Sequence, residues 1–453
     1  MINHAPAPTR TAALFVALVL AGSTTSAQST EWQFIPTTSP YPQNIPQGSD
    51  APANDEVWIV GNSFFFDPFP ISFDFTFAMR FDGTQWNFVE TPEIRGSSLY
   101  GVMKMPDGEV WVVGAYEPSG PSSQTLFLRY DGDSWTLDDS PTRRGGSIFQ
   151  AIGRAGDDVW AVGGQTTLEP PPSATGQPLA ARWEGDRWVR YEAEALGTGG
   201  RAINSFRAIS GATEDDAWAV GQGEQTGTAG FPPTAFLNHW NGDRWELVDI
   251  GLRDFGFLGD VIALASDDVW AVGSRFHDDI GTQPLIIHFD GSAWAVVDTP
   301  VIPGGRAELR AIAARSPTEI YASGTDADAD GTPRALILKY DGSAWTRMDV
   351  PTPPDGSDQW FRTMSVTPSG DVWAMGQYYR PDEQAIHVTT QRLGGSAPCR
   401  ADLDGDGELT IFDFLEFQNR FDAGDPTADF DGDGELTIFD FLAFQNAFDA
   451  GCA

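Results

Sequence analysis

The sequence predicts an all-β ring of repeated sheets with a small helical unit at its end, and three observations predict it. A strand of the form Val-Trp-x-Val-Gly appears first at Val57-Trp58-Ile59-Val60-Gly61 and recurs around Trp111, Trp160, Trp218, Trp270, Tyr321 and Trp373. A second signature is an aromatic residue, then Asp, Glu or Asn, then Gly, two variable residues and Trp. It ends at Trp86, Trp135, Trp188, Trp245, Trp294 and Trp345. Finally, two near-identical acidic segments begin at Ala401 and Ala428.

The chain opens on an export signal over residues 1–27. Arg10 supplies the positive start, Ala12 to Ala21 is apolar, and Thr25-Ser26-Ala27 offers small residues for cleavage. The apolar run is shorter than the ~20 residues that span a bilayer, so no membrane span is expected. The formal net charge of -37 opposes binding to nucleic acid or to anionic membrane. The expected setting is secreted, extracellular or cell-surface.

Residues 28–395 carry the repeats, spaced by 49 to 58 residues. Such a period marks an array of sheets. The Val-Trp strand has seven copies and the Gly-x-x-Trp strand six. Glu31-Trp32-Gln33-Phe34-Ile35-Pro36 resembles the strand at Gln85-Trp86-Asn87-Phe88-Val89, and the last repeat has no tryptophan strand after Arg392-Leu393. The N-terminal strand therefore supplies it, which predicts a closed, seven-bladed β-propeller without an open edge. Each repeat reads as four antiparallel strands. The inner strand, such as Phe206-Arg207-Ala208-Ile209, comes first, and an Asp-Gly hairpin turn leads into the outer one.

An acid precedes each second strand: Glu56, Glu109, Asp158, Asp216, Asp268, Glu319 and Asp371. A base ends each third strand: Arg80, Arg129, Arg182, His239, His288, Lys339 and Arg392. Antiparallel neighbours bring these two ends together, so one cross-strand ion pair per repeat is expected as scaffold.

On the Val-Trp-Ala-Val-Gly and Asp-Gly-x-x-Trp motifs, residues 30 to 395 resemble bacterial extracellular β-propellers. The resemblance implies a fold and an extracellular setting, and it fixes no activity.

Long, dissimilar loops fall on the face opposite the short turns, where function on such a scaffold usually sits. Bases gather there in an otherwise acidic chain: Arg95, Arg144, Arg201, Arg253 and Arg306 precede inner strands. Arg207, Arg310 and Arg362 lie within inner strands and are the candidate ligand-binding residues. Two readings stay open, a site for an anionic glycan or protein and arginines that satisfy loop carbonyls and acids. The stretch Asp326-Ala327-Asp328-Ala329-Asp330-Gly331 offers half of a calcium-loop frame, but its twelfth position is Ile337, which cannot ligate.

After a linker at 396–398, residues 399–453 form the second unit. Asp402, Asp404, Asp406 and Asp413 stand at loop positions 1, 3, 5 and 12, as do Asp429, Asp431, Asp433 and Asp440, with Gly407 and Gly434 at position 6. This is the EF-hand arrangement, in which carboxylate and carbonyl oxygens surround a hard cation. Glu408 and Glu435 contribute backbone carbonyls, and two calcium ions are expected. Leu409 and Leu436 are expected to pack inward. Aspartate at position 12, one helix such as Phe412 to Phe421, and the Asp-Ala-Gly-Cys ending resemble dockerin modules of the Gly-Cys type. The resemblance implies a cohesin-like or cell-surface anchoring partner, recognised at positions 10 and 11, here Ile411-Phe412 and Ile438-Phe439. Those apolar residues fit a core equally well, and Phe414, Leu415 and Phe417 are expected in the core. Cys399 and Cys452 bracket the unit, which fits a disulfide in an exported chain or two free or otherwise processed thiols.

No Gly-x-Ser-x-Gly, His-Glu-x-x-His or phosphate-binding loop occurs. The leading expectation is a non-catalytic propeller for binding or a structural role, retained by its calcium-dependent tail. The rival is a dockerin-targeted propeller glycosidase or lyase acting on polysaccharide. That rival requires two carboxylates converging in a pocket on the long-loop face.

Overall fold

The computed structural model describes residues 31–37, 41, 43–64, 74–94, 96–117, 123–138, 146–166, 176–196, 204–223, 233–252, 254–327, 331–353, 359–381, 383–394, 401, 403, 409–423, 428, 430 and 436–450. Twenty-eight strands and two helices account for most of them. The segments expected as export signal and linker, and both cysteines, lie outside the described residues. No described helix is long and apolar enough to cross a membrane.

The strands group into four-stranded antiparallel units. The first runs Asn44–Ala53, Glu56–Phe64, Asp74–Phe81 and Trp86–Val89, from inner to outer strand. The same order follows from the inner strands Ser98–Lys104, Ser147–Ala155, Asn204–Thr213, Gly256–Ala265 and Glu308–Ser316. A single parallel bridge, Ala155↔Gly211, joins two neighbouring units into one eight-stranded sheet. The last unit has Gln359–Val366, Val372–Arg380 and Ala385–Leu393, and its outer strand is Trp32–Phe34, paired at Trp32↔Leu393. Inner strands stand side by side in chain order, and the last lies beside the first, so the units close into a ring.

The two tryptophan signatures turn out to be halves of one contact. In six of the seven units the aromatic residue of the second strand packs against the outer-strand tryptophan of the following unit, and Trp58 packs against Tyr130 of the next unit. Trp160 meets Trp245 at 5.1 Å, Trp218 meets Trp294 at 5.1 Å, and Trp270 meets Trp345 at 5.9 Å. Trp373 of the last unit meets Trp86 of the first at 5.7 Å, and Tyr321 meets Trp32 at 6.2 Å. Rings of this size bury on the order of 150–250 Å² each and prefer such edge-to-face and tilted geometries. Val, Ile, Leu and Ala of the central strands fill the remaining space, with both faces of each sheet buried against neighbours.

The corner ion pairs form in every unit. Glu56 meets Arg80 at 3.2 Å, Glu109 meets Arg129 at 3.7 Å, and Asp158 meets Arg182 at 2.9 Å. Asp216 meets His239 at 2.7 Å, Asp268 meets His288 at 2.8 Å, Glu319 meets Lys339 at 2.8 Å, and Asp371 bonds Arg392. Each base also lies over the second-strand ring, as Arg182 does at 5.7 Å from Trp160 and His288 at 4.0 Å from Trp270. Most of these pairs are part-exposed and contribute less than ~1 kcal/mol each. Asp371 and Arg392 are buried, so removing one of them strands a charge in the interior.

Close approach at the centre requires small residues. A Cβ on Gly48 would sit 2.4 Å from the carbonyl oxygen of Tyr100, and one on Gly101 would sit 2.9 Å from the backbone nitrogen of Ile152.

In the C-terminal unit, helices α1 (Ile411–Ala423) and α2 (Ile438–Ala450) share a core of Phe417, Phe430 and Phe444, with Leu409 and Leu436 packed on it. The equivalent residues Phe417 and Phe444 stack at 4.5 Å. Leu415 corrects the expectation of a core position, because it is 46% exposed. Phe414, Phe417 and Phe421 already supply the inward stripe of α1, and Leu415 lies next round the helix from Phe414.

Candidate ligand-binding channel

Each inner strand carries a β-bulge at the same register, one residue before the position that pairs with the fourth residue of Val-Trp-x-Val. The skipped residues are Gln47, Tyr100, Gln150, Arg207, Gly259, Arg310 and Arg362. A bulge re-aims the extra residue without breaking the ladder on either side. All seven residues line one cavity of about 240 Å³ on the axis of the ring. Here the scaffold repeats in backbone and varies in side chain.

The three arginines expected near the channel therefore come together. Arg310 is paired with Glu308, at 2.7 Å from Nε and 2.6 Å from Nη2. Arg207 and Arg362 are held by neutral groups. Nη2 of Arg207 donates to Gln222 Oε1 at 3.0 Å, and Nε of Arg362 donates to Gln377 Oε1 at 3.0 Å. Burial, together with the Arg310 charge beside it, lowers the Arg207 pKa, and burial with the two neighbouring arginines lowers that of Arg362 to about 10. The ring of Phe257 stands between two of these cations, 5.1 Å from Arg207 and 5.6 Å from Arg310. An aromatic face stabilises adjacent guanidinium groups in this way.

Asp260 also lines the cavity, at a register where other units carry Gly48, Gly101, Ala151, Ala208, Ala311 and Thr363. Its carboxyl accepts from the backbone N–H of Val261 at 2.9 Å and from Ile312 of the next unit at 2.9 Å. Asp50 does the same for Lys104 at 2.7 Å, and Ser210 for Ala263 at 3.1 Å. Neighbouring inner strands mostly do not pair as a sheet, so their facing N–H groups need such side-chain acceptors.

Burial raises the Asp260 pKa to about 7, against the two N–H bonds that favour the carboxylate. A raised carboxyl pKa means that the folded state holds the proton more tightly than the unfolded state. The stabilisation is complete below the ordinary value of 3.8 and is lost as pH rises through about 7. The difference amounts to on the order of 4 kcal/mol at pH 8. Asp260→Asn, which cannot ionise, is expected to melt higher than the parent at pH 8 and no higher at pH 4, less ~1 kcal/mol for one lost hydrogen bond. Equal melting shifts at the two pH values would refute this account.

The described residues bring no pair of unpartnered carboxylates together in the cavity: Glu308 is bound to Arg310, and Asp260 stands apart among backbone N–H groups. Of the half calcium frame, Asp328 and Asp330 lie outside the described residues. Asp326 is buried and bound by Arg334 at 3.0 Å and Arg347 at 2.7 Å, so its charge is already compensated. Among the loop-face arginines, Arg95, Arg144, Arg201 and Arg253 lie outside the described residues, and the bridge Thr282↔Arg306 places Arg306 against the third strand of the preceding unit. Asp402, Asp404, Asp406, Glu408, Asp429, Asp431, Asp433 and Glu435 also lie outside them. Asp413 and Asp440 are described and fully buried at the starts of their helices. Asp413 accepts from the backbone N–H of Leu403 at 2.7 Å and of Thr410 at 2.8 Å, and Asp440 from that of Thr437 at 2.6 Å. Gln47, Tyr100, Gln150 and Phe257 were not among the candidates. For Gln47, Tyr100 and Gln150 the signal is an apolar residue, a variable one and a small one, as in Phe149-Gln150-Ala151, and Phe257 does not fit that pattern.

The closed ring of four-stranded antiparallel sheets around an axial cavity defines a β-propeller. No protein-family model matches the chain, and no curated protein matches it in sequence. Among solved structures, the chain is similar to an ulvan lyase of the polysaccharide lyase family PL25 bound to -[GlcA(1-4)Rha3S]-. The two are 10% identical with a TM-score of 0.51, over 80% of this chain and 95% of that one. It is also similar to YCF48 bound to D1 peptide, at 16% identity and a TM-score of 0.49, over 80% of this chain and 96% of that one. At such identities the first likeness speaks to fold alone, and the β-propeller fold is what it supports.

Proposed function

We propose that the chain is an exported, seven-bladed propeller that binds an anionic ligand in its channel without catalysing a reaction. Its tail, residues 399–453, acts as a dockerin-like module that binds two calcium ions and holds the propeller to a partner. One observation carries the channel reading. Acids outnumber bases 64 to 27 in this chain, yet Arg207 and Arg362 are half-buried against amide oxygens. Every corner cation, by contrast, has its own acid. An amide fixes the direction of a guanidinium without neutralising it, which leaves a half-buried positive field for a ligand to complete. In the tail, Ile411 and Phe412, and equally Ile438 and Phe439, are 63% exposed, which supports a pair of equivalent contact faces for the partner.

The channel reading is tested by immobilising the intact protein against an array of neutral, carboxylated and sulfated glycans. The acidic members are expected to bind and the neutral ones to fail. The double variant Arg207→Gln, Arg362→Gln should weaken binding at least about tenfold, since a charge-assisted bond contributes ~1.5–3 kcal/mol. Unchanged binding by that variant would move the site elsewhere.

A further inference from the structure

The order of residues around the channel says more than their total charge. Taken in ring order, the bulge positions of the first three units are Gln47, Tyr100 and Gln150, and those of the last four are Arg207, Gly259, Arg310 and Arg362. The cavity therefore has one neutral, hydrogen-bonding arc and one cationic arc. We infer that its ligand is a sugar acid, with its carboxylate on the arginine arc and its hydroxyls on the arc of Gln47, Tyr100 and Gln150. The inference rests on the proposed reading of the channel as an anion site and names the ligand class for it.

The cationic arc already shows its preferred partner. Glu308 places a carboxylate on Arg310 through two nitrogens, so this arginine is neutralised from within the chain. Arg207 and Arg362, on either side, keep their charge. Gly259 interrupts the arc because a Cβ there would meet the backbone of Arg310 at 3.1 Å. Each of these two guanidinium groups suits a carboxylate, whose planar pair of oxygens matches the guanidinium fork. The opposite arc suits hydroxyls, because amide and phenol groups both donate and accept. Gln47 is oriented for this by its bond from Nε2 to Asn62 Oδ1 at 3.2 Å. A volume of about 240 Å³ is below the roughly 300–1,000 Å³ of pockets for larger organic ligands, which fits one acidic ring or the end of a chain.

Calorimetric titration of the full chain with glucuronate, glucose, acetate and sulfate at fixed ionic strength tests the inference. Glucuronate is expected to bind at least about tenfold more tightly than acetate or sulfate, and glucose not to bind measurably. Arg362→Gln should weaken all three anions, and Arg362→Lys should retain part of the affinity. Gln150→Leu, on the neutral arc, should weaken glucuronate at least about threefold and leave sulfate unchanged. Acetate or sulfate binding as tightly as glucuronate would overturn the sugar acid and leave an anion site. An acidic peptide binding more tightly than glucuronate would overturn it as well. No binding of any anion, with Arg362→Gln indistinguishable from the parent, would overturn the channel reading itself.

Discussion

A chain lacking residues 31–37 is expected to lose more than ~5 kcal/mol of stability and to associate through strand edges. Trp32 is 5% exposed and belongs to the core that joins the last two units, with Tyr321, Ile337 and Phe361. Removing a buried tryptophan side chain alone costs about 3–5 kcal/mol. The backbone bonds go with it: Ile35 donates to Thr390 at 3.0 Å, and Thr390 Oγ1 donates to Ile35 at 2.7 Å. The strand Ala385–Leu393 would then present a row of unpaired N–H and C=O groups, which templates pairing with another chain. Thermal melts and size-exclusion chromatography read the two effects separately. A synthetic peptide spanning residues 31–37 should restore part of the melting temperature by adding the missing strand in trans. A deletion that melts like the parent and stays monomeric would remove the N-terminal strand from the closure of the ring.

That strand was legible in the sequence because a docking partner was missing at the other end. The second-strand aromatic and the outer-strand tryptophan recur together since each buries the other across a unit boundary, and Trp32 is the one that Tyr321 needs. The corner pairs were legible for a related reason: antiparallel geometry forces the start of one strand beside the end of the next. The channel was legible only in part. Arg207, Arg310 and Arg362 stood out by charge, but a bulge is a one-residue shift in register that hydrophobic alternation does not encode. Gln47, Tyr100 and Gln150 were therefore not recognised as their ring neighbours, although an apolar-variable-small triplet marks each of them. The cations that fold over Asp326 could not be read from acid spacing, since Arg347 comes from the outer strand of the same unit. Asp260 looked like one acid among many, and only its place after the bulge, where other units carry Gly, Ala or Thr, sets it apart.

Chelating calcium is expected to unfold the C-terminal unit and leave the propeller folded. The tail has a small core, centred on Phe417, Phe430 and Phe444. Units of this size rarely hold together on apolar burial alone and need a staple such as a metal or a disulfide. On the proposed reading, Asp402, Asp404, Asp406 and Asp413 converge on one ion, and Asp429, Asp431, Asp433 and Asp440 on the other. Asp413 already draws in the N–H groups of Leu403 and Thr410, from near the start and the end of its loop. Four carboxylates so placed repel one another without a cation, so the loop opens and its helix loses its packing partner. Bound ion adds RT ln(1 + [L]/Kd), which is ~2.7 kcal/mol per site at a hundredfold excess over Kd. The propeller depends instead on interlocked tryptophans and a closed ring. Calorimetry of the intact protein should show two transitions, of which only the smaller moves with chelator. Asp413→Ala and Asp440→Ala should each lower that transition in calcium and make it less sensitive to chelator. A smaller transition that ignores chelator in the parent would defeat both the metal sites and the dockerin-like reading.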